Sequence, residues 1–388
     1  MKRSTLFSLM IATSTTAVAQ SSVTLYGIVD NAVQYETGLP GGNRLAASSG
    51  NWAASRLGFL GTEELGGGTQ ATFRLETRLN TQNGSYTNGT FFSGQATVGL
   101  RNPTYGAFRL GNMGQSEILQ DISDIDPQYA QKYAVGTLVR GRVWPQTANG
   151  IEYTSPALAG LTVKGQYALT NATTWNAGTP GTSPSQLGGG QGRSDGIKLQ
   201  YEIDRLTLQV IYDEVRDATG RFSNVYTASR SISAGGTLRE GPLRFYAGYQ
   251  HLRAPDASNA GYFGSAAPTT LPGGASLPTT VDHVWLGTTW QVNPATTLTS
   301  AVYHANANHG NGNATLFTLA GTYSLSKRTL LYSELGYLRN SRTSNLGLNS
   351  GAYGANIVDD PVSGNASSSN PRYGHSQFGA FAGLAVRF

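Results

Sequence analysis

Residues able to do covalent or ligating chemistry are few and dispersed in this chain. Cysteine is absent, which removes thiolate zinc sites, iron–sulfur clusters, disulfide scaffolds and cysteine nucleophiles together. The five histidines (His251, His283, His304, His309 and His375) never fall at the i, i+4 spacing that sets two imidazoles on one helical face for zinc. No serine has the strand-to-helix context of a nucleophile elbow. The acidic stretch Asp121-Ile-Ser-Asp124-Ile-Asp126 can be read as a calcium loop. It lacks the glycine of the sharp turn and the distal bidentate glutamate, so calcium is the weaker reading and no cofactor is expected. Gly188-Gly-Gly-Gln-Gly192 lies among Gly, Ser and Pro, which makes it a surface loop and not a dinucleotide site. What does cluster is charge at alternate positions: Arg74, Glu76 and Arg78 would share one face of a strand. A row of that kind acts by its field, on solutes that pass it.

The elements holding such a row must be strands. Of 388 residues, 39% are hydrophobic and only 13% charged, with 50 Gly, 20 Tyr and 13 Phe, against about 25% charged in a typical soluble domain. No apolar run reaches the roughly 18 residues of a spanning helix. Lys2 and Arg3, the apolar stretch Leu6 to Ala12 and Ala17-Val-Ala19 read as a signal peptide over residues 1–19, followed by a single domain over 20–388. Net charge is +5 and falls when Lys2 and Arg3 leave, too mild a balance for a nucleic-acid partner.

Beyond the leader, period two recurs throughout. Ala71, Phe73 and Leu75 alternate with Gln70, Thr72, Arg74 and Glu76; Leu161, Val163 and Tyr167 with Thr162, Lys164 and Gln166; Ile197, Leu199 and Tyr201 with Lys198, Gln200 and Glu202. Short turns, as at 63–68, 101–106 and 203–205, alternate with long connections, as at 37–51, 113–149, 253–280, 305–313 and 339–377. Seven short and eight long connections imply sixteen strands, with tight turns at one end and bulky loops at the other. That asymmetry predicts an all-β, antiparallel transmembrane barrel in an outer membrane, its partner the lipid bilayer. Only a closed barrel satisfies every backbone group of a strand in hydrocarbon.

Several segments carry a family resemblance. Ser22-Val-Thr-Leu-Tyr-Gly-Ile-Val-Asp30 resembles the opening strand of Gram-negative general diffusion porins, especially the betaproteobacterial trimeric type. Ser55-Arg-Leu-Gly-Phe-Leu-Gly-Thr-Glu-Glu-Leu-Gly-Gly-Gly68 is similar to that family's second strand and first periplasmic turn. Leu325-Ser-Lys-Arg-Thr329 with Leu331-Tyr332, and the aromatic Phe388, complete the likeness. The resemblance implies a sixteen-stranded barrel, three copies per assembly, with the third external loop, here about 113–149, folded into the pore. It places the loop acids Glu117, Asp121, Asp124 and Asp126 opposite a basic wall of Arg56, Arg74, Arg78 and Arg142. Gln95, preceded by Gly94, stands where the family often adds a further arginine. Phe388 matches an assembly signal read by the outer-membrane insertion machinery.

The function implied is passive diffusion of ions and small hydrophilic solutes through a water-filled channel in the outer membrane of a Gram-negative bacterium, weakly anion-selective, without enzymatic chemistry. Three rivals stand beside it: a substrate-specific channel, a secreted all-β adhesin or lectin that dissolves without detergent, and a barrel hydrolase using His283 or His304 as base.

Overall fold

The computed structural model describes residues 21–86, 90–115, 117–129, 131–143, 146–169, 192–263, 276–350 and 370–388. The expected leader, 1–19, lies outside them, as do residues 188–191 of the glycine-rich loop. Strand segments follow in the order β1 (Ser22–Leu39), β2 (Gly42–Ser49), β3 (Arg56–Gly66), β4 (Thr69–Arg78), β5 (Gln95–Asn102), β6 (Gly106–Asn112), β7 (Gly114–Gln115), β8 (Gln146–Thr154) and β9 (Leu161–Leu169). They continue as β10 (Arg193–Ile203), β11 (Leu206–Arg216), β12 (Arg230–Glu240), β13 (Leu243–Arg253), β14 (Thr280–Asn293), β15 (Thr296–Ala307), β16 (Ala314–Ser324), β17 (Thr329–Asn340) and β18 (Gln377–Arg387). β1 pairs with β2 along its second half and with β3 along its first, so β2 and β3 are one crossing interrupted at 50–55. β7 continues β6 along β8. Among the described residues the segments therefore make sixteen antiparallel crossings, closed where Ile28 to Glu36 of β1 face Arg387 to Gly379 of β18.

Alternation sorts each strand into two environments. On β1, Ile28, Asp30, Ala32, Gln34 and Glu36 are buried, while Val23, Leu25, Val29 and Val33 are exposed. On β14, Trp285 is 1% exposed and its neighbour Leu286 is 59% exposed. Apolar residues thus cover the outside of a closed wall, and polar ones point in. A one-residue slip would turn the charged set of β4 toward lipid, at about 2–4 kcal/mol for each Arg or Lys at the bilayer midplane.

Two external connections are shorter than the sequence suggests. The first is a two-residue turn between Leu39 and Gly42, not a loop over 37–51, because β1 and β2 keep pairing beyond the point where their apolar alternation fades. The interruption at 50–55 dips into the barrel instead. The Asp30 carboxylate accepts from Trp52 N at 2.9 Å and Ala53 N at 2.8 Å, and from the Tyr332 hydroxyl. The second is the stretch between β15 and β16, only residues 308–313.

The described residues of 113–149 do not extend outward. Helix α1 (Glu117–Gln120) places Ile118 and Leu119 against Ile211 and Val215 of β11. A 3₁₀ turn, Asp121–Ile125, then crosses β12 and β13, and helix α2 (Val135–Leu138) packs on β15 and β16. Glycines on the inward face receive this segment. Ile125 lies on Gly235, Pro127 on Gly287, and Tyr133 on Gly336 and Gly379, each so close that a Cβ would overlap it. At Gly336 the obstructing atoms are all side-chain atoms, of Tyr133 and Leu348. Gly336→Val is therefore expected to leave the barrel intact by its heat-modifiable electrophoretic mobility while displacing Tyr133. Single-channel conductance should change, and an unaltered conductance would contradict the seating of the segment by this glycine.

Candidate functional site

The inward faces of β3 and β4 carry a compact basic cluster. Arg56 faces Arg78 and Gly58 faces Glu76 across the pair, because all four share the inward parity. Arg74 Nη2 lies 3.0 Å and Arg56 Nε 3.8 Å from Glu76 Oε2. The Tyr26 hydroxyl donates to Glu76 Oε2 at 2.9 Å and accepts from Arg74 Nε at 2.7 Å. Arg74 also lies 5.3 Å from the centre of the Tyr26 ring. Glu76 is nearly enclosed, whereas the Arg56 and Arg74 side chains are 34% and 35% exposed, so it is their guanidinium groups that meet the lumen. Gln95 faces Glu76 on β5 and points inward. A Cβ at Gly94 would lie 2.6 Å from Glu76 Oε1, so the carboxylate occupies the space a side chain there would need.

The loop acids are held by other partners. Lys164 of β9 and Lys198 of β10 face each other across their strands. Lys164 Nζ binds Asp121 Oδ2 at 2.7 Å, and Lys198 Nζ binds Asp121 Oδ2 at 3.0 Å and Asp124 Oδ2 at 3.1 Å. Ammonium groups thus occupy the carboxylates that a calcium ion would use. Asp126 is fully buried: it accepts from the Tyr303 hydroxyl at 2.5 Å and from Val135 N at 3.2 Å. It braces the loop and does not face the pore, a correction to its expected place. Arg142 needs the same correction. It is 2% exposed, with Nη2 at 2.5 Å from Asp213 Oδ2 and Nε at 2.7 Å from Ser229 Oγ, because the returning chain presses it onto β11. It clamps the loop end and lines no wall. Glu117 begins α1, and its side chain lies outside the described residues.

Other lumenal charges escaped sequence reasoning. Arg109 pairs with Glu152 at 2.5 Å, and Arg44 with Glu36. Lys132 extends from the loop to three neutral acceptors, Gln34 Oε1, Ser48 Oγ at 3.2 Å and Asn51 Oδ1 at 3.4 Å. Lys164 and Lys198 belong to the polar parity of their strands, but nothing in the sequence ties them to the loop acids. Of the histidines weighed as bases, His283 is fully buried between Trp285 and Tyr303, and His304 faces outward with Nδ1 at 2.9 Å from Thr315 Oγ1. Gly192-x-Ser194-x-Gly196 has the spacing of a nucleophile elbow, but Ser194 is a buried residue within the run of β10 and no helix follows.

Comparison with known proteins agrees with this geometry. The profile of the Gram-negative porin family matches residues 5–343. Outer membrane porin protein 32 of Delftia acidovorans is 28% identical over 372 residues, covering 92% of this chain and 95% of that protein. Among solved structures, the anion-selective porin from Comamonas acidovorans superposes with a TM-score of 0.72 at 24% identity, over 95% of this chain and all of the other. The trimer form of OmpT from Vibrio cholerae does so at 0.60 and 15% identity, over 95% and 99%.

Burial lowers the Lys132 ammonium from its ordinary 10.5 to about 8, partly offset by Glu36 and reinforced by Arg44. The native lysine therefore loses its proton at a lower pH than the unfolded one. Its contribution to stability rises between about pH 8 and 10.5. In the folded protein that positive charge is lost around pH 8. Anion preference is expected to fall as pH rises from 7 to 9, and Lys132→Gln should flatten that profile. Reversal potentials that track pH identically in both proteins would contradict the assignment.

Proposed function

The chain belongs to the Gram-negative porin family, and from that premise we infer that its outer-membrane channel is a general diffusion pore with a weak preference for anions. Ions and small hydrophilic solutes cross passively, without cofactor or covalent step. The observation that carries the preference is the cluster on β3 and β4, where Arg56 and Arg74 converge on the single carboxylate of Glu76 and Arg78 stands opposite Arg56. The loop acids add little compensating field, since Asp121 and Asp124 are paired with Lys164 and Lys198 on their own side of the lumen. A surplus of fixed positive charge in a narrow aqueous passage raises the local concentration of anions. It orients dipolar solutes as well.

A second reading, of a wall charge without influence on conduction, is separated from the first by planar-bilayer recording in a salt gradient. Arg56→Gln with Arg74→Gln is expected to lower the anion-to-cation permeability ratio by about twofold or more. An unchanged reversal potential would favour the inert wall. The family resemblance of the first strands supports three copies per assembly, which the same recordings would register as closures in threes.

We also infer a part for Phe388 in assembly by the insertion machinery. Phe388 N donates to Gly27 O and Gly27 N to Phe388 O, both at 3.1 Å, and the ring covers Gly27. Phe388→Ala is expected to reduce the yield of heat-modifiable barrel in the outer membrane; normal yield would refute the role.

A further inference from the structure

A cavity of about 340 Å³ opens beneath the loop, on the side of the tight turns; its lining residue Arg387 is separated from Arg56 of the cluster by Ile28 of β1. Its size falls in the lower part of the roughly 300–1,000 Å³ range of small-molecule sites. Its floor is a field of hydroxyls. Thr289 of β14 faces Thr299 of β15, and Thr297 faces Thr322 of β16. The first pair lies 3.3 Å apart, Oγ1 to Oγ1. Each hydroxyl both donates and accepts, and Ala320, opposite Thr299, keeps the floor low between them.

The rim is aromatic. Tyr129, on the loop, is 64% exposed toward the lumen. Tyr246 carries Arg244 at 5.1 Å from its ring centre, and Trp52 is fixed in place by its stacking on Tyr332. At the end nearest the turn between β16 and β17 the lining becomes cationic, with Lys327, Arg328 and Arg387 all exposed. No aspartate or glutamate is among the described lining residues.

We propose that this cavity is a solute subsite for sugar acids, monosaccharides that bear a carboxylate. The three chemistries of the lining match three parts of one such molecule. Ring hydroxyls exchange hydrogen bonds with the threonines, the apolar face of the ring lies on an aromatic side chain, and the carboxylate meets the lysine and arginine end. A neutral sugar leaves the cations uncompensated. A small anion such as acetate cannot engage the hydroxyl floor and the cations together. The proposal rests on the reading of the lumen as a conducting path, but not on the Arg56–Arg74 cluster.

The test is single-channel recording of the purified protein with sodium galacturonate in both chambers, against glucose and sodium acetate at equal ionic strength. Galacturonate is expected to give resolved current blocks. The blocking constant should weaken about tenfold in Thr297→Val with Thr299→Val and again in Lys327→Gln with Arg328→Gln. Glucose should block more weakly and acetate not at all. Galacturonate that behaves as acetate does, blocks unchanged in both double variants, or blocks lost only in Arg74→Gln would each overturn the subsite. Open-channel steps in plain salt keep the two readings apart: their absence would sink the conducting path itself, whereas steps without blocks sink the subsite alone.

Discussion

Hydrogen-bond closure of the wall is the constraint on which everything else in this protein depends. In hydrocarbon each unsatisfied backbone donor or acceptor costs several kcal/mol, so a sheet that crosses a bilayer cannot keep an edge. The seam between β1 and β18 removes that edge, and Gly27 with Phe388 completes its last two bonds. Once the neighbours of every strand are fixed, so is the face each side chain takes. The placement of Phe73 and Leu75 outside and of Arg74 and Glu76 inside is a single event. Lipid compatibility and lumen charge are consequently two readings of one register.

Within that wall, the loop of residues 113–149 is located by contacts of different kinds at successive points. Lys164 and Lys198 hold its carboxylates near β9 and β10. Trp285 Nε1 donates to Ile125 O at 2.8 Å, and Gln128 Nε2 to Thr318 Oγ1 at 2.8 Å. Glycines at 235, 287, 336 and 379 let Ile125, Pro127 and Tyr133 approach the wall closely enough to bury. This explains part of the heavy glycine usage by a need for space rather than for unusual backbone angles. The interruption at 50–55, drawn in by Asp30, brings Trp52 to the same side of the lumen, so loop and interruption together shape the passage beneath.

How much of this the sequence discloses follows from what each feature depends on. Strand existence and facing depend on local alternation, so sixteen crossings and the inward direction of Arg74, Arg78 and Gln95 were legible. The ends of strands outside the bilayer do not depend on it. There β1 and β2 pair through Glu36 and Arg44 without apolar contrast, and the stretch resembles a loop. Asp126 and Arg142 have charges suited to a pore wall, but their burial is decided by Tyr303, Asp213 and Ser229, which lie 71 to 177 positions away in sequence. No local pattern reports such a partner. The pairing of Asp121 and Asp124 with Lys164 and Lys198 is hidden for the same reason, although each of the four residues belongs to a recognisable sequence pattern.

Charge in the lumen is therefore best counted by partnership. Glu36 with Arg44, Glu152 with Arg109, and Asp213 with Arg142 cancel locally, as do Asp121 and Asp124 of the loop with Lys164 and Lys198. Surplus positive charge remains where guanidinium groups share Glu76 and around Lys327, Arg328 and Arg387, the last facing Ile28 from β18 as Arg56 faces it from β3. At physiological salt the field of each falls off over about 8 Å, so neither reaches the whole cross-section of a sixteen-stranded barrel. A small ion that keeps to the centre is only mildly sorted. A bulkier anion, forced against the wall by its size, passes within reach of both surpluses, and for such solutes the preference of the channel is strongest.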